Sequence, residues 1–260
     1  MEHQLSTERR LHLLAGIVIL GLISVALLPA IPQDPSYHDF TDQRGFWRVP
    51  NALNFLSNVF FIGIGVAGCR QLSTITGNRI LADSRWLYQT FFAGVVLVGI
   101  GSGYYHWSPT NTTLIWDRLP MTVAFMAFFS IIIAEYISEE LARKLFIPLL
   151  LLGVGSVWYW HFTESQGRGD LRPYIVVQFL PMLLIPAILL LFPSRFSHGG
   201  YYWAFLGAYV AAKILELGDL FFYQLLYGIS GHTLKHVAVA IGCYLFYRQL
   251  QQRSRTDDTE

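Results

Sequence analysis

Two histidines four residues apart, His232 and His236 in the stretch "GHTLKH", have the spacing most suggestive of chemistry in this 260-residue chain. On a helix that spacing puts both imidazoles on one face, one turn apart. It is a common way to offer two nitrogen ligands to a zinc ion. A third histidine, His106 in "GSGYYHWSPTNTTLIWD", sits at the end of an apolar run. Ser102 lies four residues before it on the same helical face, and Asp117 opens the next run. Three histidine ligands leave a fourth zinc position for water, whose pKa zinc lowers to about 7. Asp117 can then accept the water's proton and pass it to a leaving group. Ser102 can donate a hydrogen bond to the oxyanion of a tetrahedral intermediate. Each residue also has a plainer reading. A histidine can be an interfacial polar group, Asp117 can cap a helix N-terminus, and Ser102 can be a small packing residue between Gly101 and Gly103. The joint placement favours the metal site.

Such a site needs rigid elements to hold it, and the composition says what they are. The chain is 53% hydrophobic and 13% charged, with mean hydropathy +0.43. Charged residues make up about a quarter of a soluble domain, so the chain reads as an integral, all-α membrane protein. Apolar runs of spanning length lie near Leu11–Ala30, Leu53–Cys69, Trp86–Tyr105, Leu119–Tyr136, Leu145–Trp160, Tyr174–Phe192, Trp203–Phe222 and Leu234–Tyr247. That predicts eight transmembrane helices, the last beginning as early as Gly231. Net charge is +1, so there is no basic field for nucleic acid, and no protein partner is evident. Cys69 and Cys243 both fall inside apolar runs and read as core thiols. The first run follows Arg9 and Arg10 but is long for a signal peptide, and Pro29 and Pro32 spoil a cleavage site. It reads as an uncleaved anchor.

Eight helices put both termini on one side of the membrane. That side collects eleven lysines and arginines against six on the other, with Lys213 inside a helix. The bias predicts cytoplasmic termini. The poorer side holds the segments richest in unusual polar residues: "HDFTDQRGFWRVPNALN", "GSGYYHWSPTNTTLIWD", "HFTESQGRGDLRP" and "YGISGHTLKH". Chemistry is therefore expected near the non-cytoplasmic face. His3, His12 and His198 fall on the other side, away from it. A bacterial inner membrane suits this layout best, with endoplasmic reticulum or Golgi as the alternative.

The order of Ser102 and His106, then Asp117, then His232 and His236 resembles the alkaline ceramidase family, within a wider superfamily of membrane hydrolases. The segments "PNALNFLSN" and "SGHTLKH" are similar to bacterial-type members. The resemblance implies a seven-helix bundle over residues 37–248, here preceded by an added helix and linker (1–36) and followed by a polar cytoplasmic tail (249–260). It implies Zn2+ held by His106, His232 and His236, with Asp117 as acid/base and Ser102 as oxyanion partner. The substrate it implies is a ceramide-like lipid drawn from the bilayer and cleaved at its amide to a sphingoid base and a fatty acid. Eukaryotic members also carry a calcium site near the N-terminus. Here Asp39, Asp42, Asn51 and Asn54 offer oxygens, but no glutamate is present and Arg44 and Arg48 intervene. Calcium takes six to eight oxygens, so the expectation is a polar site without calcium, in which Asp42 pairs with an arginine.

Other polar residues fall within apolar runs. Lys213 and Glu216 are spaced to pair on one helical face, and Asp219 continues it in "AAKILELGDLFF". Charges inside a membrane are costly and usually face a polar interior. These three read either as a lining beneath the zinc, contacting substrate or a ligand histidine, or as a neutralised pair fixing helix register. His161, Glu164, Arg168, Asp170 and Arg172 read as a hydrated connector. Asn111-Thr112-Thr113 is a glycosylation sequon with meaning only in a eukaryotic secretory pathway. Three rival functions stand beside the amidase: a hydrolase of another lipid ester or amide, a seven-helix receptor of the progesterone and adiponectin type with a structural zinc, and a transporter. Internal inverted repeats would support the last, and none is seen.

Overall fold

The computed structural model describes residues 6–75 and 77–256. His3 and the last four residues of the polar tail lie outside the described residues. Among the described residues the chain forms ten α-helices, with a long irregular segment over residues 27–51: α1 (Thr7–Ala26), α2 (Ala52–Leu56), α3 (Val59–Thr74), α4 (Arg85–Trp107), α5 (Asn111–Tyr136), α6 (Glu139–Ser165), α7 (Arg172–Leu191), α8 (Gly200–Leu217), α9 (Asp219–Leu225) and α10 (Gly231–Gln252). Six spans among the described residues are long and apolar enough to cross a membrane: α1, α2–α3 together, the turn-plus-helix ending in α4, α5, α6 and α7. The other two of the eight expected, α8 and α10, hold the charged and imidazole residues of the site, which lower their apolarity. The protein is an all-α membrane protein.

The most buried of these helices is α5, which packs on α4, α6 and α7; α4 packs on α3, α3 on α10, and α10 on α8. Among the described residues α7 and α8 pack only lightly on each other, meeting where Lys213 Nζ lies 5.6 Å from the Phe179 ring centroid. Small residues allow the tight crossings. A side-chain Cβ at Gly94 would lie 3.2 Å from Ala124, and one at Gly101 would lie 1.9 Å from the carbonyl oxygen of Trp116. Outside the arc, α1 leans on α7 and turns mostly apolar side chains such as Leu20 and Leu27 outward. Two links tie its C-terminal side down. Leu171 donates its N–H to the Ile31 carbonyl, and Arg172 Nη1 reaches the Leu28 carbonyl at 2.9 Å.

Three boundaries differ from the apolar runs in ways that matter for the site. The run Leu53–Cys69 is broken at Ser57–Asn58 into α2 and α3. The run Trp203–Phe222 breaks at Gly218, so Asp219 opens α9 instead of continuing the Lys213–Glu216 face. Asp117 does not begin its helix: α5 starts at Asn111, capped by Thr110, whose hydroxyl accepts from Thr113 N–H. Asp117 is thus in the second turn and is not a cap. The His161 connector is also shorter than its composition suggests, because α6 runs on to Ser165.

At the far end of the bundle a second polar cluster closes the fold. Glu135 and Arg253, both fully buried, pair at 2.8 Å. Tyr88 and Tyr202 hydroxyls donate to the two carboxylate oxygens at 2.6 Å each. Arg253 Nε also donates to the Arg79 carbonyl, and its guanidinium lies 4.0 Å from the Phe196 ring. The residues set apart as a tail therefore begin inside α10, and Arg253 is one of the largest buried side chains in the molecule.

Candidate metal centre and active site

His106 ends α4, and His232 and His236 occupy the first turns of α10. Folding brings the three rings together with centroid separations of 4.9, 5.0 and 5.1 Å. All three are buried, and each offers a nitrogen such that the three atoms lie within 4.8 Å of one another. Ring nitrogens are tied up elsewhere only at His236, whose Nδ1 meets Ser57 Oγ at 2.8 Å. His106 Nδ1 and His232 Nε2 are buried without any hydrogen-bond partner. Orphaned buried nitrogens are rare and need a reason, and three converging imidazoles are a donor set that suits zinc. The residues present fit a metal ion.

Each histidine is held by groups the apolar pattern does not reveal. The break after α2 aims Ser57 at His236, and Ser57 itself donates to the Asn54 carbonyl at 3.0 Å. Asn54 Oδ1 accepts from Thr233 Oγ1 at 2.6 Å and from Ser230 Oγ at 3.4 Å. Ser230 in turn caps α10 by accepting from Thr233 N–H. Asn51 has φ 47° and ψ 44°, a left-handed conformation that asparagine tolerates. From there its Nδ2 donates to the His106 carbonyl at 2.9 Å, satisfying an orphan acceptor at the end of α4. Asp219 Oδ1 accepts from His232 N–H at 2.7 Å and its Oδ2 from Thr41 N–H at 3.2 Å. That approach requires Gly231, where a Cβ would lie 2.1 Å from the Leu215 carbonyl. Phe40 seals the cluster, its ring centroid 4.6 Å from His106 and 4.7 Å from His232.

The candidate calcium residues are engaged in this scaffold. Asp42 is buried and takes Arg44 Nε at 2.8 Å and Nη2 at 2.9 Å. Burial raises its carboxyl pKa, but hydrogen bonds and charge from Arg44 outweigh this and hold it below the ordinary value. Arg44 also reaches the Gly228 carbonyl, tying this loop to the α9–α10 connection. Asn51 and Asn54 serve His106 and α10, as described, and Asp39 is exposed.

Beside the histidines is a cavity of ≈ 300 Å³ lined at its polar end by Ser102, Asp117, Arg118, Glu216, Lys235 and His236. Deeper, Met121, Ala124, Phe125 and Phe128 continue the Asp117 face of α5, spaced three and four residues apart as one helical stripe. Ser102 and Asp117 line the same polar end of the cavity. The Gly101–Trp116 crossing is what sets the two side by side. Lys213 Nζ lies 2.7 Å and Lys235 Nζ 2.5 Å from the two oxygens of Glu216. Lys235 looks like a loop cation in sequence, and nothing in local spacing links it to Glu216 on α8. Arg118 also looks like a loop residue, yet it is buried in α5 and lines the cavity. His38 bridges Tyr105 hydroxyl and Asn111 Oδ1 at 2.9 Å each, so the sequon side chain is already occupied. His161 is not part of the histidine cluster.

The fold and site define a multi-pass membrane protein with a buried three-histidine cluster suited to a metal ion, beside a largely apolar cavity. A family model described as Ceramidase matches residues 47–190, more than half of the chain. The chain belongs to the ceramidase family, which places it among hydrolases. No curated protein and no solved structure matches it. The matched segment contains Ser102, His106 and Asp117 but stops short of His232 and His236. Their convergence on His106 is therefore an observation independent of the family match.

Proposed function

We propose that the protein is a zinc-dependent amidase that hydrolyses the amide of ceramide-like lipids to a long-chain base and a fatty acid. The observation that carries this reading is the convergence of His106, His232 and His236 beside the Ser102–Asp117 pair at the mouth of an apolar cavity. A zinc ion held by His106, His232 and His236 would supply Lewis acidity for activating a water and polarising the amide carbonyl. Asp117, open to the cavity, accepts a proton from the attacking water and returns it to the amide nitrogen as the carbon–nitrogen bond breaks. Ser102, beside Asp117 on the cavity wall, turns its hydroxyl to the carbonyl oxygen as charge builds there. Ser57 holds the His236 ring so that Nε2 is the nitrogen it offers. Phe40 excludes water from the side of the histidines away from the cavity.

A lipid fits this cavity better than a soluble amide. The deeper walls are aromatic and aliphatic, and the lightly packed side between α7 and α8 includes the exposed Phe179. Lateral entry from the bilayer follows. The site belongs near the non-cytoplasmic face, with both termini cytoplasmic. The burial of Arg118 and Lys235 within helices supports this, because neither is a loop charge on that side and the positive-inside bias grows. The test is a panel of lipid amides and esters, with and without chelator, reading free fatty acid and free amine by mass spectrometry. Chelator-sensitive release of both products from the amides is expected. Release from esters alone would move the protein to the related lipid hydrolases, and ligand binding without release would move it to the receptor class.

A further inference from the structure

The mechanism above leaves Arg118 unused. It is buried, sits next to Asp117 on α5, and lines the polar end of the cavity. Its Nη2 donates to Gln33 Oε1 at 2.6 Å. Its guanidinium is packed among Trp160, 4.3 Å to the ring centroid, Tyr174 at 4.8 Å and Tyr37 at 5.6 Å. Those contacts fix the plane of the fork but leave Nη1 buried with no hydrogen-bond partner. Among the described residues no carboxylate comes within ion-pair distance of it. Glu216 has both oxygens taken by Lys213 and Lys235. The cavity walls thus carry three cations, Arg118, Lys213 and Lys235, against two carboxylates, Asp117 and Glu216. A buried, oriented, unmatched guanidinium is costly, and its planar fork suits a carboxylate or sulfonate.

Resting on the amidase reading, we propose that Arg118 is a specificity-determining residue that binds an anionic group on the amine half of the lipid amide. The preferred substrate class is then a ceramide-like N-acyl lipid with an acidic head group, over its neutral counterpart. Placement on α5 assigns the anion to the amine half. The stripe from Asp117 through Met121 and Phe125 to Phe128 runs away from Arg118 into apolar wall, which is where an acyl chain goes. A head group held by Arg118 lies at the opposite end of the amide.

The experiment compares an N-palmitoyl amino acid with its methyl ester, identical except for the charge, on the intact metal-loaded protein. Wild type is expected to favour the acid in kcat/KM by about tenfold or more, the worth of one charged hydrogen bond. Arg118→Gln should lose that preference while still cleaving the ester, and Arg118→Lys, which keeps the charge and guards against a folding failure, should retain part of it. Equal use of acid and ester by wild type, or an unchanged preference in Arg118→Gln, overturns the proposal. Product inhibition by palmitate separates the other source of a carboxylate. If Arg118→Gln weakens inhibition by palmitate and leaves the acid preference intact, the residue serves the product and the assignment to the head group is wrong. Non-cleavable ketone analogues of both lipids, assayed by thermal shift, keep the test apart from the amidase reading. If no amide is cleaved, the amidase reading fails, yet tighter binding of the acidic ketone by wild type and not by Arg118→Gln still upholds the role of Arg118.

Discussion

Ser57 decides which nitrogen His236 can offer, because its hydroxyl occupies Nδ1. Partners of this kind are worth about 10–100-fold in metal affinity. Ser57→Ala should lower zinc affinity by that order, read by competition with a chromophoric chelator, and His236→Ala should abolish zinc binding. Asp117→Asn separates the two functions. It should keep about one zinc per chain by elemental analysis and lose about 10²–10⁴-fold in turnover; retained turnover would remove Asp117 from the proton-transfer role. The histidine pair was legible in sequence because four-residue spacing is a local property of a helix. Ser57 and Phe40 were not, and Asn54 was legible only as a possible oxygen donor, because each meets its histidine or α10 through contacts far along the chain. Lys235 and Arg118 were misplaced for a related reason. A charge near the end of an apolar run reads as a loop, and only the packed bundle shows it turned inward.

Element boundaries set the chemistry more tightly than helix identities do. Apolar composition located most of the spanning segments, since twenty apolar residues have few other uses. It could not show the breaks at Ser57–Asn58 and Gly218, because both lie inside runs that stay apolar on average. Yet the first break aims Ser57, and the second frees Asp219 to hold the backbone of His232. Helix crossings matter equally. At Gly101→Ala the new methyl would meet the Trp116 carbonyl oxygen at 1.9 Å, so α4 and α5 must separate. Overpacking of this kind costs about 1–3 kcal/mol. The expected result is a lowered melting temperature and a larger relative loss of turnover than of zinc, since Ser102 and Asp117 move apart while the histidines stay on other contacts.

Across the whole molecule the two ends of the bundle are stabilised differently. The Glu135–Arg253 pair is fully buried and fully hydrogen-bonded, and breaking such a pair costs about 3–5 kcal/mol. Glu135→Gln should therefore lower the melting temperature in detergent sharply, with the metal site untouched in the surviving folded protein. At the other end, Asp170 and Arg172 strap the linker after α1 to the start of α7. The Arg172 hydrogen bond is the main cause that brings the Asp170 carboxyl down to about 2 from the ordinary 3.8. A depressed folded value means the carboxylate stabilises the fold fully above about pH 4, and that contribution is lost as pH falls towards 2. Acidification through that window should loosen α1 from α7, seen as faster proteolysis after Ala26, and Asp170→Asn should show the same susceptibility at neutral pH. The strap was readable only as a hydrated connector, because composition does not reveal that Asp170 is buried.

The α10 helix bears on how the protein is made. His106 is synthesised on α4 more than a hundred residues before His232 and His236, and the residues that close the opposite end, Glu135 and Arg253, are separated in the same way. Both closures complete only when α10 docks, after every helix it packs against has entered the membrane. The three-histidine set is therefore completed late in biogenesis, and an insertion intermediate arrested before α10 carries Ser102, His106 and Asp117 without His232 and His236.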